Sequence, residues 1–381
     1  MKTVVVTANT SWYLFNFRKN TFLALLSQGY RVVAIAPEDD YSSKLSRLGV
    51  EFHHISIDQG GTNPLKDLYT FYSFLRVYKN VKPNVILNFT PKNNIYSTLA
   101  GSFFGAQSIN NIAGLGMVFI NNGLTARVAR LLYRISQPKA HTIFFQNEDD
   151  RALFSNFNLV PSNMTDRLPG SGVDLSRFKV SPSVNNGNVI FLLIARMLYD
   201  KGVEHYVAAA REMKSIYGDK VEFRLLGFLD VNNPSAVSKG QMDLWVEEGV
   251  VNYLGVSDAV EKEITEADCI VLPSFYREGV PKSLLEACAM GKPIITTNNV
   301  GCRETVDEGV NGFLCEPRST KDLVNKLKKM TDLNHFERLE MGCNSRAKVE
   351  REFDERIVIA KYLEAIDMAL NKPTDSQHYE K

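Results

Sequence analysis

The chain has 381 residues, of which 44 are basic, 43 are acidic and 44% are hydrophobic, as in an ordinary globular protein. This length predicts about two to three domains, and a net charge of +1 excludes the overall basic character of a typical nucleic-acid-binding protein. The five cysteines are odd in number and form no CxxC pair, which argues against a disulfide framework or a zinc site. We expect reduced thiols that fill space in the core of a cytoplasmic protein.

The first half of the chain alternates short apolar segments with longer helical ones. MKTVVVTANT has too short an apolar stretch for a signal peptide and predicts a first strand instead. No apolar run approaches the roughly 18 residues that a membrane-spanning helix needs. The alternation predicts a parallel sheet covered by helices. The predicted strands are Thr3–Thr7, Arg31–Ala36, Phe52–Ile57, Val85–Leu87 and Thr142–Phe145, and the predicted helices are Phe17–Ser27 and the amphipathic Leu65–Asn80.

A basic amphipathic helix is predicted from the segment GLTARVARLLYRISQPK, where Arg127, Arg130 and Arg134 recur every three to four residues between aliphatic side chains. Such a helix can lie on anionic lipid with its arginines at the phosphates. It can equally be a packed helix with a solvated basic face, and the sequence leaves both interpretations open. The segment Leu65–Lys82 adds aromatic residues, most of which we expect in the core.

The second half repeats the alternation after a stretch rich in Gly, Ser, Asn and Pro, Leu168–Asn188, which predicts an interdomain connection. The predicted domains are 1–168 and 188–353, with a linker at 169–187, a last helix at 354–371 and a disordered tail at 372–381. Strands are predicted at 188–195, Val221–Leu226 and Cys269–Leu272, and helices at Lys201–Ile216, Lys321–Lys329, His335–Val349 and Asp354–Leu370.

The stretch DCIVLPSFYREGVPKSLLEACAMGKPIITT, which begins at Asp268, predicts a strand, a loop, a helix and a second strand. Pro281 suits the first helical position, and Gly291 ends the helix. Glu278 precedes the helix and Glu286 lies within it. The N–H groups around the helix start have no partners inside the helix and can bind anions or hydroxyl groups.

This pattern resembles the Glu-x7-Glu signature of the retaining glycosyltransferases of family 4. The resemblance extends to GKPII, GCRE and EGVNGFLCEP after the helix, and to GVDLSRF and IARMLYDKG before it. It implies an α/β fold of the GT-B type, with two Rossmann-like domains whose parallel sheets face across a cleft. It also implies that the last helix crosses back onto the first domain.

The same resemblance implies a donor site for a nucleotide sugar. Arg196 and Lys201 correspond to the family's diphosphate-binding residues, and cations of this kind suit phosphate. Glu278 is placed at the donor sugar and Glu286 at the ribose. The predicted catalytic residues are Arg196, Lys201 and Glu278. The predicted donor-binding set is Arg196, Lys201, Glu278, Gly279, Val280, Pro281, Leu285 and Glu286.

Simpler interpretations exist for each of these residues taken singly. Arg196 and Lys201 could be solvated loop residues, Glu278 could merely favour the positive end of a helix, and Glu286 could be an exposed helix residue. The ordered string of motifs is what favours function. Retention without a covalent nucleophile, and catalysis without a metal or other cofactor, follow from the family; the sequence contains no Asp-x-Asp motif.

Two departures from the family pattern affect the first domain. The loop predicted after the first strand, ANTSWYLFNFR, has no glycine pair, and we expect Trp12 and Tyr13 on the acceptor side. The segment INNIAGLGMVF lacks the histidine that many relatives place near the donor sugar, which leaves backbone groups or Asn111 as alternatives. The remaining candidates, His53, His54 and His141, have the character of surface or strand residues.

The segments GLGMVF and SWYLFNFR resemble a bacterial subset of the family that builds O-antigen, capsule or glycoprotein glycans on undecaprenyl-diphosphate sugars. The expected function is transfer of a hexose or N-acetylhexosamine from a nucleotide sugar, with UDP as the expected nucleotide, to such an acceptor. The enzyme is then expected in the cytoplasm, on the inner face of the plasma membrane. The alternatives are a nucleotide-sugar epimerase of the same architecture, a non-catalytic sugar-nucleotide binder, and a dehydrogenase, for which a GxGxxG motif after a strand is missing.

Overall fold

The computed structural model describes residues 1–58, 63–114, 123–181, 184–229, 231 and 233–371. The chain divides into two compact units, each built on its own parallel sheet. The first takes in the described residues of 1–113, 118–168 and 356–381, and the second those of 114–117 and 169–355. The predicted polar tail, 372–381, and residues 115–119 of the GLGMVF segment lie outside the described residues. Within the described ranges, no helix has both the length and the apolar character needed to cross a bilayer.

The first unit is built on a seven-stranded parallel sheet. Its strands are β1 (Thr3–Thr7), β2 (Arg31–Ala36), β3 (Glu51–His54), β4 (Val85–Asn88), β5 (Gln107–Ile112), β6 (Ala140–Phe145) and β7 (Thr165–Arg167). The strand order is β3-β2-β1-β4-β5-β6-β7. Strands β2 and β3 are therefore added on one side of β1, and β4 to β7 on the opposite side. All five residues of β1 are buried, as expected for a strand covered on both faces.

Among the described residues, six α-helices connect these strands. They are α1 (Ser11–Ser27), α2 (Ser42–Arg47), α3 (Pro64–Val81), α4 (Thr98–Ser102), α5 (Leu124–Ser136) and α6 (Glu148–Asn156), with a one-turn π-helix at Asn93–Ser97 before α4. Helix α1 begins at Ser11 rather than at the predicted Phe17, because the Thr10 hydroxyl caps it by accepting the N–H of Tyr13 at 3.0 Å. Trp12 and Tyr13 therefore lie on the first turn of a helix, and the prediction that they form part of a loop was wrong.

Helix α3 also differs from expectation in how it distributes its aromatic side chains. Its buried stripe consists of Thr70, Phe74, Tyr78 and Val81. Tyr69, Tyr72 and two leucines fall on the opposite side of the helix and are exposed. The prediction that most aromatic residues of this segment belong to the core was thus wrong for the outer stripe, because one helix can bury only the residues that share a face.

A buried polar network crosses the carboxyl ends of β4 and β5. The Asn88 amide donates to the Asn110 carbonyl oxygen at 2.8 Å, and the Asn110 amide donates to Gln137 Oε1 at 2.8 Å. The Asn111 amide donates to the Asn88 backbone carbonyl at 3.1 Å. Strand β5, with the sequence QSINNI, was not predicted because asparagine is disfavoured in strands. Its amides are tolerated there because partners inside the unit satisfy them.

The second unit is built on a six-stranded parallel sheet. Its strands are β8 (Val189–Ile194), β9 (Val221–Leu226), β10 (Asn252–Tyr253), β11 (Cys269–Leu272), β12 (Ile294–Thr297) and β13 (Gly312–Cys315). The order β10-β9-β8-β11-β12-β13 makes β8 and β11 neighbours although 74 residues separate Ile194 from Cys269 in the connecting chain. The helices of this unit are α7 (Val203–Tyr217), α8 (Lys239–Glu247), α9 (Val260–Glu266), α10 (Lys282–Ala289), α11 (Thr320–Asp332) and α12 (His335–Glu352).

The last helix, α13 (Glu355–Asn371), belongs with the first unit from Arg356 onwards, as the resemblance predicted. Its inner stripe joins the core that contains β1, β2 and α1; the buried members are Val358, Tyr362, Ala365, Ile366 and Ala369. The Tyr362 hydroxyl donates to Asn111 Oδ1 at 2.7 Å, and the Lys361 ammonium pairs with Asp166 at 2.7 Å. The two ends of the chain together therefore make the first unit.

Candidate active site

The strand order of the second unit places two loops side by side. Strands β8 and β11 are neighbours in the sheet. The chain continues from β8 to β9 on one side of this pair, and from β11 to β12 on the opposite side. Loops that diverge in this way open a crevice at the carboxyl ends of the strands, where ligands of parallel sheets bind. The predicted residues Arg196 and Lys201 follow β8, and Glu278 follows β11.

The loop after β8 is held against the end of β11 by Gly202. This residue has a φ of +77°, and a Cβ at this position would overlap the Pro273 carbonyl oxygen. The preceding carbonyl of Asp200 accepts the N–H groups of Phe275 and Tyr276, each at 3.1 Å. Backbone contacts therefore hold the loop after β8 against the loop after β11, and these contacts fix the position of Lys201.

Lys201 and Glu278 form an ion pair with little exposure of either side chain. The same carboxylate oxygen, Oε1, accepts the Ser274 hydroxyl at 2.9 Å, and the lysine Nζ lies 5.1 Å from the centre of the Tyr276 ring. A buried charge needs both a partner and hydrogen bonds. The structure thus brings two predicted residues, 77 positions apart, into one charged cluster.

Arg196 is the exposed member of this cluster. Burial raises the pKa of the Tyr276 phenol; the nearby Glu278 carboxylate acts in the same direction, and the positive charge of Arg196 opposes both. The guanidinium is therefore near enough to act on the residue that packs beside Lys201. An exposed guanidinium beside a half-buried ammonium suits a diphosphate, which offers several oxygens to each.

The backbone that leads into α10 is fixed by Gly301, in the GCRE motif. Its φ is +81°, and a Cβ would overlap the Gly279 carbonyl oxygen. The Thr297 hydroxyl donates to the Ser274 carbonyl, and the Asn299 amide donates to the Tyr276 carbonyl at 2.9 Å. The strand and loop after α10 thus clamp the loop before it, so that its N–H groups are held in place before any ligand arrives.

The remaining residues of the predicted donor-binding set occupy different environments. Pro281 lies at the N-cap of α10, one position earlier than predicted. The side chains of Val280 and Leu285 are buried in the core of the second unit. Gly279 is buried, and its carbonyl group faces Gly301. Leu285 can therefore shape the site only through the packing of α10.

Glu286 is half-buried on α10. Burial raises its pKa to about 7, while the positive charges of Lys282 and Arg177 act to lower it. Arg177, from the GVDLSRF segment, is itself ion-paired with Glu261. The structure thus corrects the interpretation of Glu286 as a merely exposed helix residue, because its carboxyl group sits where ionisation is costly without a polar partner.

The histidines and Asn111 occupy positions that fit structural roles. His53, on β3, pairs with Glu51 at 2.7 Å, and His141 lies on β6. His54 is exposed at the end of β3. The Asn111 amide and carbonyl oxygen are both used inside the first unit, so this side chain is not available to replace the missing histidine. Among the residues that the structure describes, no group of three His, Cys, Asp or Glu residues could hold a metal ion.

Helix α5 carries the three predicted arginines in three different settings. Arg127 is exposed. Arg130 is half-buried, with its guanidinium 4.6 Å from the centre of the Phe157 ring, and Arg134 donates to the Phe157 carbonyl at 3.0 Å. The aliphatic residues Leu124, Val128, Leu131 and Ile135 form an exposed stripe along the same helix.

Several residues that build the site were missed from the sequence. Ser274 and Tyr276 lie within the stretch that was analysed, but their spacing alone gives no sign of contact with Glu278 or Lys201. Gly301 was noted only as part of a motif. A signal was available for Gly301, because glycine suits positions where the backbone takes a positive φ or where another backbone segment approaches closely.

Comparison with known proteins agrees with this geometry. Residues 176–348 match the family model described as "Glycosyl transferases group 1". The chain is 29% identical over 374 residues to the N,N'-diacetylbacillosaminyl-diphospho-undecaprenol alpha-1,3-N-acetylgalactosaminyltransferase of Campylobacter jejuni, covering 94% of this chain and 96% of the relative. It is 24% identical to the UDP-Gal:alpha-D-GlcNAc-diphosphoundecaprenol alpha-1,3-galactosyltransferase of Escherichia coli, covering 81% of each.

Solved structures agree on the fold. Anabaena Alr3699/HepE in complex with UDP-glucose superposes with a TM-score of 0.79 at 16% identity, covering 97% of this chain and 100% of that one. The sucrose-phosphate synthase of Thermosynechococcus elongatus gives a TM-score of 0.77 at 16% identity, covering 97% of this chain and 99% of that one. The predicted α/β fold of the GT-B type, with two parallel sheets, is confirmed.

Proposed function

We propose that the chain is a glycosyltransferase that moves a hexose or N-acetylhexosamine from a UDP-linked sugar to an undecaprenyl-diphosphate-linked saccharide. The match of residues 176–348 to the group 1 glycosyltransferase model and the similarity to the Campylobacter jejuni enzyme support this. The product would be a bacterial surface glycan of the O-antigen, capsule or glycoprotein type. The observation that carries the donor half of this proposal is the cluster of Arg196, Lys201 and Glu278 at the point where the loops after β8 and β11 diverge.

The donor half has a direct electrostatic reason. Breaking the glycosidic bond leaves negative charge on the departing diphosphate, and fixed positive groups at that place lower the barrier. Arg196 and Lys201 supply the charge, and the first N–H groups of α10 add a partial positive charge. Glu278, held by Ser274, is positioned to accept sugar hydroxyls and to favour positive charge at the anomeric carbon.

The acceptor half is supported by the names of the relatives. The Campylobacter and Escherichia coli enzymes are both named for acceptors on diphospho-undecaprenol. A lipid of this kind keeps its diphosphate at the bilayer surface, so the enzyme has to work there. We assign this task to α5, whose exposed aliphatic stripe and Arg127 suit an anionic membrane surface. The enzyme would then be peripheral on the inner face of the plasma membrane.

Transfer proceeds with retention and without a metal ion. The acceptor oxygen bonds to the anomeric carbon on the face from which the diphosphate leaves, and the bond between that carbon and the phosphate oxygen breaks. The acceptor proton passes to a phosphate oxygen of the departing UDP. Positive side chains take the charge that a metal ion would otherwise neutralise, and Arg196 and Lys201 are well placed for this.

The proposal is tested with purified protein, a panel of nucleotide sugars and a lipid-linked saccharide acceptor. Acceptor-dependent release of UDP is the expected result, with the anomeric configuration of the donor retained in the product by NMR. Addition of EDTA leaves the rate unchanged. Donor isomerisation without acceptor would instead identify an epimerase, and binding without turnover a non-catalytic binder.

A matched pair of variants links the activity to the cluster. Arg196→Ala should lower turnover by about two orders of magnitude, the effect of losing one oriented transition-state contact. Lys239→Ala, which removes an exposed lysine paired with Asp243 on α8, is the control and should retain normal turnover. Equal activity of the two variants would remove Arg196 from the site.

A further inference from the structure

The outer stripe of α3 is an apolar surface on the first unit. Leu65, Leu68, Tyr69 and Tyr72 are 76%, 63%, 60% and 62% exposed, respectively. Their spacing places them along one side of the helix, opposite the buried stripe. Large apolar side chains exposed singly are ordinary, but four in a row on one helix form a patch of the kind that marks an interaction site.

The patch continues beyond α3. Phe103, at the end of α4, is 72% exposed, and its ring lies 6.2 Å from that of Phe71 on α3. Helices α3 and α5 each contact the π-helical segment Asn93–Ser97, so both helices pack on the same element of the first unit. We refer to Leu65, Leu68, Tyr69, Tyr72 and Phe103 as the α3 patch.

The surroundings of the α3 patch are strongly basic. Residues 63–104 and 123–139, which hold α3, α4 and α5, contain nine Lys and Arg residues and one Asp, a net charge of +8, in a chain whose net charge is +1. The one acidic residue, Asp67, is ion-paired with Lys92 at 2.6 Å. The rest of the chain is therefore net acidic, and the positive charge is concentrated in these two segments.

We propose that the α3 patch enters the interfacial region of an anionic bilayer, with Tyr69, Tyr72 and Phe103 at the level of the lipid headgroups. Tyrosine prefers this level because its ring is apolar and its hydroxyl is polar. Lys66, Arg76 and Lys79 flank the patch on α3 and face lipid phosphates. The inference rests on the proposed function, which requires work at a membrane, and it extends the docking surface from α5 to a second helix.

Charge decides between a membrane and the other possible occupants. A second copy of this chain packed through the same face would bring Lys66, Arg76 and Lys79 of one α3 towards those of the other, which opposes association. A nucleic acid would use the positive charge but would leave the exposed leucines in water. An anionic lipid surface satisfies both features, since it offers phosphates to the basic residues and an apolar layer to the patch.

The first experiment places a reporter in the patch. Tyr72→Trp is compared with the unmodified chain, and Leu244→Trp on α8 of the second unit, an exposed position at 60%, is the control. Addition of phosphatidylglycerol-containing vesicles should shift the emission of Tyr72→Trp to shorter wavelength, and brominated lipids should quench it. The Leu244→Trp signal stays unchanged. No shift at position 72 would overturn the proposal.

The second experiment measures vesicle binding by cosedimentation. The combined variant Leu65→Ser, Leu68→Ser and Tyr72→Ser should bind anionic vesicles at least tenfold more weakly, whereas Leu244→Ser with Val246→Ser, also exposed apolar residues, should bind normally. Unchanged binding of the first variant, together with loss of binding after charge reversal of Arg127, would restrict docking to α5 and overturn the proposal. A dimer that the first variant converts to a monomer would assign the patch to a second copy instead.

Vesicle binding and catalysis are measured separately, so each proposal can fail alone. The α3 variant should turn over a water-soluble acceptor with a short lipid chain at the normal rate and lose rate only with vesicle-bound acceptor. If the protein transfers no sugar to any acceptor but still inserts Tyr72→Trp into vesicles, the proposed function fails and the docking surface stands. An equal loss of rate with both acceptors would show that the substitutions impair the first unit itself and not its binding to vesicles. This result would overturn the proposal.

Discussion

The most consequential single residue in the second unit is Glu278, because two side chains converge on it. Its carboxylate is paired with the Lys201 ammonium and accepts the Ser274 hydroxyl, while Tyr276 packs beside the lysine. The Lys201 ammonium is thus paired with the Glu278 carboxylate, and a bound diphosphate would share it. Ser274 acts as a positioning residue, since it holds the carboxylate without being on the surface itself.

Replacing Glu278 should therefore separate catalysis from nucleotide binding. Glu278→Gln is expected to lower turnover by about two orders of magnitude, as for loss of one oriented transition-state contact. The same variant should bind UDP as tightly as the unmodified chain or more tightly, because Lys201 no longer pairs with a carboxylate. Steady-state rates and calorimetric titration with UDP check both effects.

Glu266→Gln serves as the control, because Glu266 is an exposed carboxylate paired with Arg224 and should change neither quantity. Weakened UDP binding in a folded Glu278→Gln variant would show that Lys201 does not carry the diphosphate.

Glu286 makes stability depend on pH. Its pKa is about 7 in the folded chain, above the ordinary 4.5, so the native state holds a proton that the unfolded state releases. Its contribution is fully present below pH 4.5 and is lost as pH rises through about 7. Glu286→Gln should therefore become more stable relative to the unmodified chain between these pH values, by on the order of 1 kcal/mol after allowance for solvent screening.

Thermal or urea unfolding at pH 5 and pH 8 measures the difference. Glu247→Gln, at an exposed position on the same unit, should show no such change with pH. A constant difference between Glu286→Gln and the unmodified chain at the two pH values would contradict the prediction.

At the scale of elements, the site depends on the backbone contact between the start of α10 and the GCRE turn. Gly301→Ala would force a Cβ into the Gly279 carbonyl, so we expect at least a tenfold loss of turnover and a clear loss of stability. Gly309→Ala is a matched control, because Gly309 has a similar φ of +76° and open space around its Cα. It should cost about 1 kcal/mol of backbone strain and retain turnover.

Turnover assays and melting temperatures of the two variants, measured side by side, test this. If Gly301→Ala loses no more than Gly309→Ala, the close approach of the two loops is not needed for the site.

How far the elements could be predicted depends on whether their signal is local. Strands β1, β2, β9 and β11 were predicted at their observed bounds. Strands β1, β2 and β11 are short, largely apolar runs between polar or turn residues, and β9 begins with alternating apolar and charged residues. Strand β5 was missed because its asparagines find their partners, among them Asn88, Gln137 and Tyr362, only in the folded unit. The extent of α3 was close, but which aromatics it exposes depends on packing that spacing does not encode.

The same division holds for the candidate site. Arg196, Lys201 and Glu278 could be chosen because the ordered motifs around them resemble those of the family, and their places after buried strands agree with this. Ser274, Tyr276 and Gly301 could not, because their roles depend on loops that are far apart in sequence and meet only through sheet order. The role of each predicted residue in donor binding stays a prediction, which the variants above test.

At the scale of the whole molecule, the first unit depends on a helix from the other end of the chain. Removing α13 would expose the core positions that Val358, Tyr362 and Ile366 cover, and each large apolar side chain contributes about 1.5–3 kcal/mol when buried. A chain that ends at Phe353 should therefore lose the cooperative unfolding of its first unit. A chain that ends at Asn371 is the control and should melt as the full chain does.

Calorimetry and limited proteolysis distinguish these outcomes. Two unfolding transitions of unchanged size in the chain that ends at Phe353 would mean that the first unit is complete without α13.

This arrangement has a consequence for how the protein is made. The first 168 residues leave the ribosome well before α13, because the whole of 169–355 must be translated in between. At ordinary translation speeds of about 5–20 residues per second, the delay is roughly 10 to 40 s. During that time the nascent first unit exposes the apolar surface that α13 will cover. We therefore expect chaperones that bind exposed apolar surface to bind this half of the chain for longest.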